Sequence, residues 1–457
     1  MTRQSAVDTA ESAFLSGAFV DQLAQMVAAR TVSVDADPAP LEAYLTDIIA
    51  PRLQASGFET EMAQSDADPR NRFLVASRIE DPAAPTVLFY GHGDVVQGMD
   101  AQWRDGLSPW RLTQRGDRLY GRGAADNKGQ HAVNLTALEA VLKVRGRLGF
   151  NAKMIFEMGE EIGSPALRDF CRARARHLAA DLLLASDGPR LDASTPTMFL
   201  GARGALQIRL TLEARPGAHH SGNWGGLISN PATIIANAIA SLVDGRGVIA
   251  IDALRPPPMP LNVRASLAGL ELAPGADDPP IEQDWGEPGL TPAERVFGWN
   301  TIETLALHAG DVRRPMNAIP GRAEAACQLR FVVGTNVRDA EAAIKKHLAA
   351  HGFGRVGVQT ELAFNASRLD PDDPWVRRCA ASLERTMGRA PAVLPNIGGS
   401  LPNDIFVDEL GLKTIWIPHS YPGCSQHAPN EHVPTSVIRE GLRIMAGVIW
   451  DIGAQDG

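Results

Sequence analysis

The sequence predicts an α/β protein: a mostly parallel sheet flanked by helices, interrupted by an inserted α+β unit. Three observations predict it. Short apolar runs of strand length alternate with helical stretches up to about residue 200, the pattern of buried strands in a parallel layer. Residues 205–213 then alternate apolar and polar, which marks a sheet with one wet face. After residue 367 the chain returns to helix and strand. The expected division is residues 1–199 and 368–457 as one discontinuous domain, with residues 200–367 inserted as a separate α+β domain.

Taken in order, Phe19, Val20, Leu23, Met26 and Val27 have helical spacing. Residues 86–90 (TVLFY), 152–157 (AKMIFE) and 182–186 (LLLAS) are apolar runs too short for helices. Between them, residues 128–145 and 165–177 read as helices, the second with Ser164 as N-cap and Pro165 at the first helical position. In residues 205–213, Leu206, Ile208, Leu210 and Leu212 share one face. This strand is expected to offer an edge that a two-fold partner could extend. Asn230-Pro231 opens a helix that ends at Gly245, and residues 246–300 receive no assignment. Residues 322–333 and 356–364 alternate, with a helix over 337–351 between them. A helix over 373–387, a strand over 414–418 and a helix over 435–452 complete the chain.

The 457 residues allow two or three domains at roughly 150 each. The net charge is −9, and only six of the 44 basic residues are Lys. Without a basic run there is no counterion release to drive nucleic-acid or anionic-membrane binding. No apolar run approaches the ~18 residues that span a bilayer. Asp8, Glu11 and Asp21 interrupt any signal-peptide core. The four Cys are scattered without a CxxC pair. A reducing, cytoplasmic setting is therefore expected.

Chemistry-bearing residues gather where strands end. Residues 86–90 run into Gly91-His92-Gly93-Asp94, where Asp94 can orient the imidazole of His92. Residues 152–157 run into Met158-Gly159-Glu160-Glu161, and residues 182–186 into Asp187-Gly188. Ligands of open α/β sheets bind beyond such carboxyl ends. Asp126-Asn127-Lys128-Gly129 precedes a helix, and His427 lies in a Gly/Pro/Ser loop. Each has a plainer reading: a loop His, a solvated Glu-Glu turn, or Asp126 as helix cap. Two His, two Asp and two Glu from five segments are nitrogen and oxygen donors without thiolate. Such a set suits Zn²⁺, Mn²⁺ or Co²⁺, and two ions rather than one.

The GHGDVV, ADNKG, GEEIGS and HAPNE segments resemble the M20 metallopeptidase family of carboxypeptidases, carnosinase-type dipeptidases and N-acyl-amino-acid deacylases. The resemblance implies that Asp126 bridges two metals, with His92 and Asp187 completing one site and Glu161 and His427 the other. It implies Glu160 as general base to a metal-bridged hydroxide. It further implies that His220 stabilises the oxyanion, and that Asn317, Arg330, Gly399 and Ser400 face the substrate. Two divalent ions per subunit are expected, Zn²⁺ first, with Mn²⁺ or Co²⁺ as alternatives. The expected partners are a small peptide or N-acyl amino acid and a second copy docked through the inserted domain, with His220 reaching the partner's site. Asp187, where deacylases often carry Glu, leans toward peptide-like substrates. Gln97 departs from the Pro usual in the family.

The expected activity is hydrolysis of a peptide or N-acyl amide bond next to a free carboxylate. One alternative is a deacylase of the acetylornithine or succinyl-diaminopimelate type, or another small-molecule amidohydrolase. A different class, a catalytically inactive binding homologue, should have lost a member of the six-residue set, and none is missing. A serine hydrolase is disfavoured because no GxSxG elbow occurs.

Overall fold

The computed structural model describes residues 1–35, 37–65, 71–104, 106–272 and 279–454. Its larger sheet has eight strands. In spatial order they are Glu59–Gln64, Arg72–Arg78, Asn151–Glu157, Thr86–His92, Leu182–Ala185, Lys413–Trp416, Thr197–Phe199 and Ala392–Leu394. The four strands from Asn151–Glu157 to Lys413–Trp416 are mutually parallel. They are the apolar runs of the sequence, and they are buried along nearly their whole length, as a layer covered on both faces requires. Outside them the sheet is antiparallel at Glu59–Gln64, Arg72–Arg78 and Thr197–Phe199, while Ala392–Leu394 pairs parallel, so the sheet is mixed with a parallel centre, as expected.

Alternate strand residues feed two cores. Phe89 and Leu184 pack under the helices Lys128–Arg145 and Thr435–Ile452, through residues such as Leu135, Val141, Leu442 and Ile449. Leu88, Tyr90, Leu183 and Trp416 face the opposite layer, with Phe170 and Phe406. Both long helices have the bounds read from the sequence. The helix expected over 165–177 is shorter. It starts at Leu167 and breaks after Ala173 into a separate turn, Ala175–Leu178. Ser164 does not cap it, because its hydroxyl donates to Glu157 Oε1 at 2.9 Å.

The second sheet is antiparallel, in the order Thr301–His308, Arg322–Phe331, Gly204–Glu213, Gly357–Phe364. The apolar face of Gly204–Glu213 packs under the helices Pro231–Leu242 and Ala340–Ala350 through Ile235, Leu242, Ile344 and Leu348. This strand is interior, not the edge the sequence suggested. The edges are Thr301–His308 and Gly357–Phe364, and on the former Leu305 and Leu307 are more than half exposed. Thr301–His308 escaped the sequence reading because most of it is exposed and imposes no clean alternation.

Gly201–Ala202 pairs with Ser367–Arg368, so the two ends of the intervening segment lie side by side. Residues 246–300, grouped with the insert by chain order, divide between the units. Ile249, Ile251 and Leu254 join the second sheet's core, whereas Val263, Leu267, Ala293 and Phe297 join the core of the large sheet. Residues 273–278 of that stretch lie outside the described residues. No helix among the described residues is long and apolar enough to cross a membrane.

Candidate metal centre

The parallel strands bring their carboxyl ends to one place. His92 closes its strand, Glu160 and Glu161 form a single 3-10 turn after Asn151–Glu157, and Asp187 follows Leu182–Ala185. Asp126 approaches from the loop before Lys128–Arg145, and His427 from a loop residue with φ 57°. The structure thus assembles His92, Asp126, Glu161, Asp187 and His427, all five expected metal residues.

They form two trios that share Asp126: His92, Asp126 and Asp187, and Asp126, Glu161 and His427. Within each, the donor atoms lie within 4.8 Å of one another. His92 Nε2 is 3.2 Å from Asp126 Oδ1 and 3.5 Å from Asp187 Oδ2. His427 Nε2 is 3.2 Å from Asp126 Oδ2 and 2.9 Å from Glu161 Oε2. Asp126 therefore turns one oxygen to each trio. Glu160 Oε2 stands 4.0 Å from His92 Nε2.

The donor set fits divalent cations on the structure's own terms. His92 Nε2 and Asp187 Oδ2 are buried and make no hydrogen bond, a costly state for polar atoms that an ion between them would relieve. The electrostatics agree. Burial, with Asp187, Asp126 and Glu161 nearby, raises Glu160 well above the usual carboxylate range. Burial likewise pushes Glu161 up to about 7, despite its bond to His427. Against burial, the neighbouring imidazoles of His427 and His92 hold Asp126 well below that range. His427 is pushed up to about 10 by Asp126 and Glu161. Protons on the two imidazoles thus compensate the carboxylates, a task that cations perform more fully.

A surrounding layer of hydrogen bonds orients these groups. The Asp94 carboxylate accepts N–H bonds from Glu160 at 3.2 Å and Glu161 at 3.1 Å, and lies 3.3 Å from His92 Nδ1. It therefore steers the Glu-Glu turn as well as the imidazole. Asn127 donates to the Ser186 carbonyl, and Gly129 is required because a Cβ there would meet the Ala124 carbonyl oxygen at 2.0 Å.

Glu431 was passed over in the sequence, read only as the end of the HAPNE segment. Its carboxylate accepts the N–H groups of Gly123, Ala125 and Asp126, and pairs with buried Arg122 at 2.7 Å. It holds in shape the loop that carries Asp126. The available signal was Arg122 itself, an Arg between two glycines that no surface role explained. Gln97, in place of the family's usual Pro, offers its carbonyl to Arg122, a bond independent of its side chain.

A cleft of about 520 Å³ opens beside the trios. It is lined by Asp126, Glu160, Asp187 and His427 and by the loop from Gly398 to Leu401. Gly399 and Ser400 therefore face it. Arg330 reaches this loop by donating to Ser400 Oγ at 2.7 Å, and Ser400 in turn donates to the Arg203 carbonyl. Arg203, which nothing in the sequence marked out, is nearly buried and donates to the Gly398 carbonyl at 2.8 Å. His220 and Asn317 are brought to each other but do not line this cleft. His220 is exposed and pairs with Ala318, while the Asn317 carbonyl accepts the Ser221 N–H.

Residues 88–451 match peptidase family M20/M25/M40. The chain is 25% identical to the Beta-Ala-His dipeptidase of Mus musculus over 419 residues, 86% of this chain and 82% of that protein. It is 28% identical to the Cysteinylglycine-S-conjugate dipeptidase of Corynebacterium striatum over 333 residues, 70% of each. Its fold is similar to that of the M20 family metallo-carboxypeptidase Sso-CP2 from Sulfolobus solfataricus. There the TM-score is 0.79 at 22% identity, covering 95% of this chain and 99% of that one. The chain belongs to peptidase family M20/M25/M40. It is a hydrolase of the metal-dependent peptidase class, with a candidate metal site of His and acidic residues.

Two predictions follow from this geometry. Glu431→Ala strands the buried Arg122 charge and three N–H groups, so it should cost about 3–5 kcal/mol in chemical denaturation. It should also weaken metal binding by about 10–100-fold; wild-type stability and affinity would disprove the clamp. The second concerns pH. Without cations, His427 and Glu161 hold protons that a metal must displace. The metal-free form then binds more protons, and apparent metal affinity rises with pH. Titration calorimetry at about pH 6 and about pH 8 should show a gain of about tenfold or more; a flat or falling affinity contradicts the assignment.

Proposed function

We propose that this chain hydrolyses a peptide or N-acyl amide bond next to a free carboxylate, using two divalent ions, with dipeptide-like molecules as substrates. The observation that carries this reading is Asp126, with one carboxylate oxygen toward each of two three-residue clusters. The donors, all nitrogen or oxygen, favour Zn²⁺, with Mn²⁺ or Co²⁺ as alternatives. Ions held by His92, Asp126 and Asp187 and by Asp126, Glu161 and His427 would supply electrophilic activation of the water and of the scissile carbonyl. The similar proteins named for β-Ala-His and cysteinylglycine conjugates support a small peptide substrate.

The remaining chemistry belongs to the protein. Glu160 lines the cleft and is the acid of the pair that His427 does not engage. We assign it the proton of the attacking water, which it passes to the leaving amine. Its raised affinity for a proton suits a proton carrier. Arg330, held by Ser400 at the rim of the cleft, pairs with the substrate carboxylate, and the Gly399 backbone adds an N–H donor. Residues 1–199 and 368–457 carry the metals, and the second-sheet unit within residues 200–367 acts as lid and dimer contact. His220 and Asn317 do not line their own chain's cleft, so their part, oxyanion stabilisation by His220 included, is played in a second copy's site. The exposed Leu305 and Leu307 on the sheet edge offer that copy an apolar contact.

Three experiments test this reading. Glu160→Gln should keep two ions per chain by elemental analysis and lose about 10²–10⁴-fold in kcat, while Glu161→Gln should lose metal; swapped effects would reverse the roles. Amidation of a good substrate's carboxylate should cost about 2–5 kcal/mol in wild type and almost nothing in Arg330→Ala; equal losses remove Arg330 from recognition. Co-expressed Glu160→Ala and His220→Ala chains should regain roughly a quarter of wild-type activity. In trans, each mixed dimer has one intact site, and random pairing makes about half of the dimers mixed under two-fold symmetry. No recovery with mixed dimers present would place His220 in its own chain's site.

A further inference from the structure

The cleft has two unlike sides. Toward the centre it presents Asp126, Glu160, Asp187 and His427, and toward the rim the loop that Arg330 grips through Ser400. The wall between these ends is apolar and contains Leu191, Leu272, Phe297, Leu394, Ile397 and Leu401. Four separate stretches supply it: the loop after Asp187, the connection beyond helix Leu261–Leu267, helix Pro292–Phe297, and the segment from Leu394 to Leu401. Phe297, Leu394, Ile397 and Leu401 are each under one-tenth exposed and belong to the core of the large sheet. The wall is therefore rigid. Leu272 is half-buried and lines the cleft with them.

The wall offers a polar side chain little. Arg190 and Gln426 also line the cleft, beside the centre; Arg190 is engaged by Glu440 at 2.5 Å and the Pro418 carbonyl at 3.0 Å with its Nη2 buried and unpaired, and Gln426 donates to Asp126 Oδ2 at 3.4 Å. The acidic groups and His427 are the metal donors and the proton carrier assigned above. A polar group laid against Leu272, Phe297 and Leu401 themselves would lose water without a partner. An aliphatic or aromatic group gains about fourfold for each methylene withdrawn from water. Position decides which part of the substrate meets the wall. The scissile carbonyl sits at the metal centre and the carboxylate at the Arg330 rim, so the side chain between them is that of the carboxylate-bearing residue.

We propose that the apolar wall built by Leu272, Phe297 and Leu401 selects substrates whose carboxylate-bearing residue has a bulky apolar side chain, such as leucine, methionine or phenylalanine. This rests on the hydrolase reading above. It assigns a task to Leu272 and Phe297, which lie in the stretch of residues 246–300 where the sequence showed no motif.

The test is kcat/KM for the dipeptides Ala-Leu, Ala-Phe, Ala-Asn, Ala-Asp and Ala-Gly, and for N-acetylated Leu and Asn, with the metal-loaded enzyme. The near-isosteric pair Ala-Leu and Ala-Asn is decisive. A preference for Ala-Leu of about tenfold or more is expected, falling toward unity in Leu272→Ser. Phe297→Ala should act in the same direction. Leu272→Ser is the safer variant because the side chain is only half-buried, and metal content confirms that its centre is intact. Hydrolysis with no Leu-over-Asn preference overturns the inference and leaves the hydrolase reading standing. A preference that Leu272→Ser leaves unchanged overturns the assignment of the wall. A preference that follows the amino-side residue, read from Leu-Ala against Asn-Ala, overturns the placement. Failure to cleave any substrate with Zn²⁺, Mn²⁺ or Co²⁺ overturns the proposed function and this inference with it.

Discussion

Asp126, Glu160, Glu161 and Asp187 share one largely buried space, with Asp94 immediately behind them. Like charges in a poorly solvated site repel strongly and resist ionisation unless positive charge is brought in. Much of the surrounding architecture serves that constraint. His92 and His427 each stand 3.2 Å from Asp126, Arg122 pairs with Glu431 behind the Asp126 loop, and backbone N–H groups meet Asp94 and Glu431. What is left uncompensated, an unbonded imidazole nitrogen and an unbonded carboxylate oxygen, is a site shaped for cations.

The parallel sheet makes the arrangement affordable. Its central strands are locked between two apolar cores, so their carboxyl ends hold His92, the Glu-Glu turn and Asp187 in place at little cost in entropy. The groups at the rim depend on a different device. Arg203 stands where the chain passes from one sheet to the other. Its side chain holds Gly398, and its carbonyl holds Ser400, which in turn accepts Arg330. One residue at the junction thus ties a strand of the second sheet to a loop of the first unit.

Most of the centre was legible in the sequence because strand-end chemistry is local. A buried apolar run followed by Gly-His-Gly-Asp, Gly-Glu-Glu or Asp-Gly announces both its strand and its candidate donor, and the long helices Lys128–Arg145 and Thr435–Ile452 were readable from periodicity and flanking residues. Strands without that signal were missed. Thr301–His308 is an exposed edge, and Glu59–Gln64 pairs on one side only. Ser164 was misread because its sequence context is that of a helix cap, whereas Glu157 competes for its hydroxyl from a distance.

The sequence by itself determined the donor types, the strand ends that carry them and the apolar faces of the main helices. These follow from neighbours along the chain. Only the tertiary structure decided that Asp126 serves both trios, that Glu431 braces its loop across about three hundred residues of chain, and that Leu272 and Phe297 leave the insert to wall the cleft. The reason is physical. Shared ligands, buried ion pairs and pocket walls are satisfied by groups remote in sequence, and spacing carries no record of which remote group comes near.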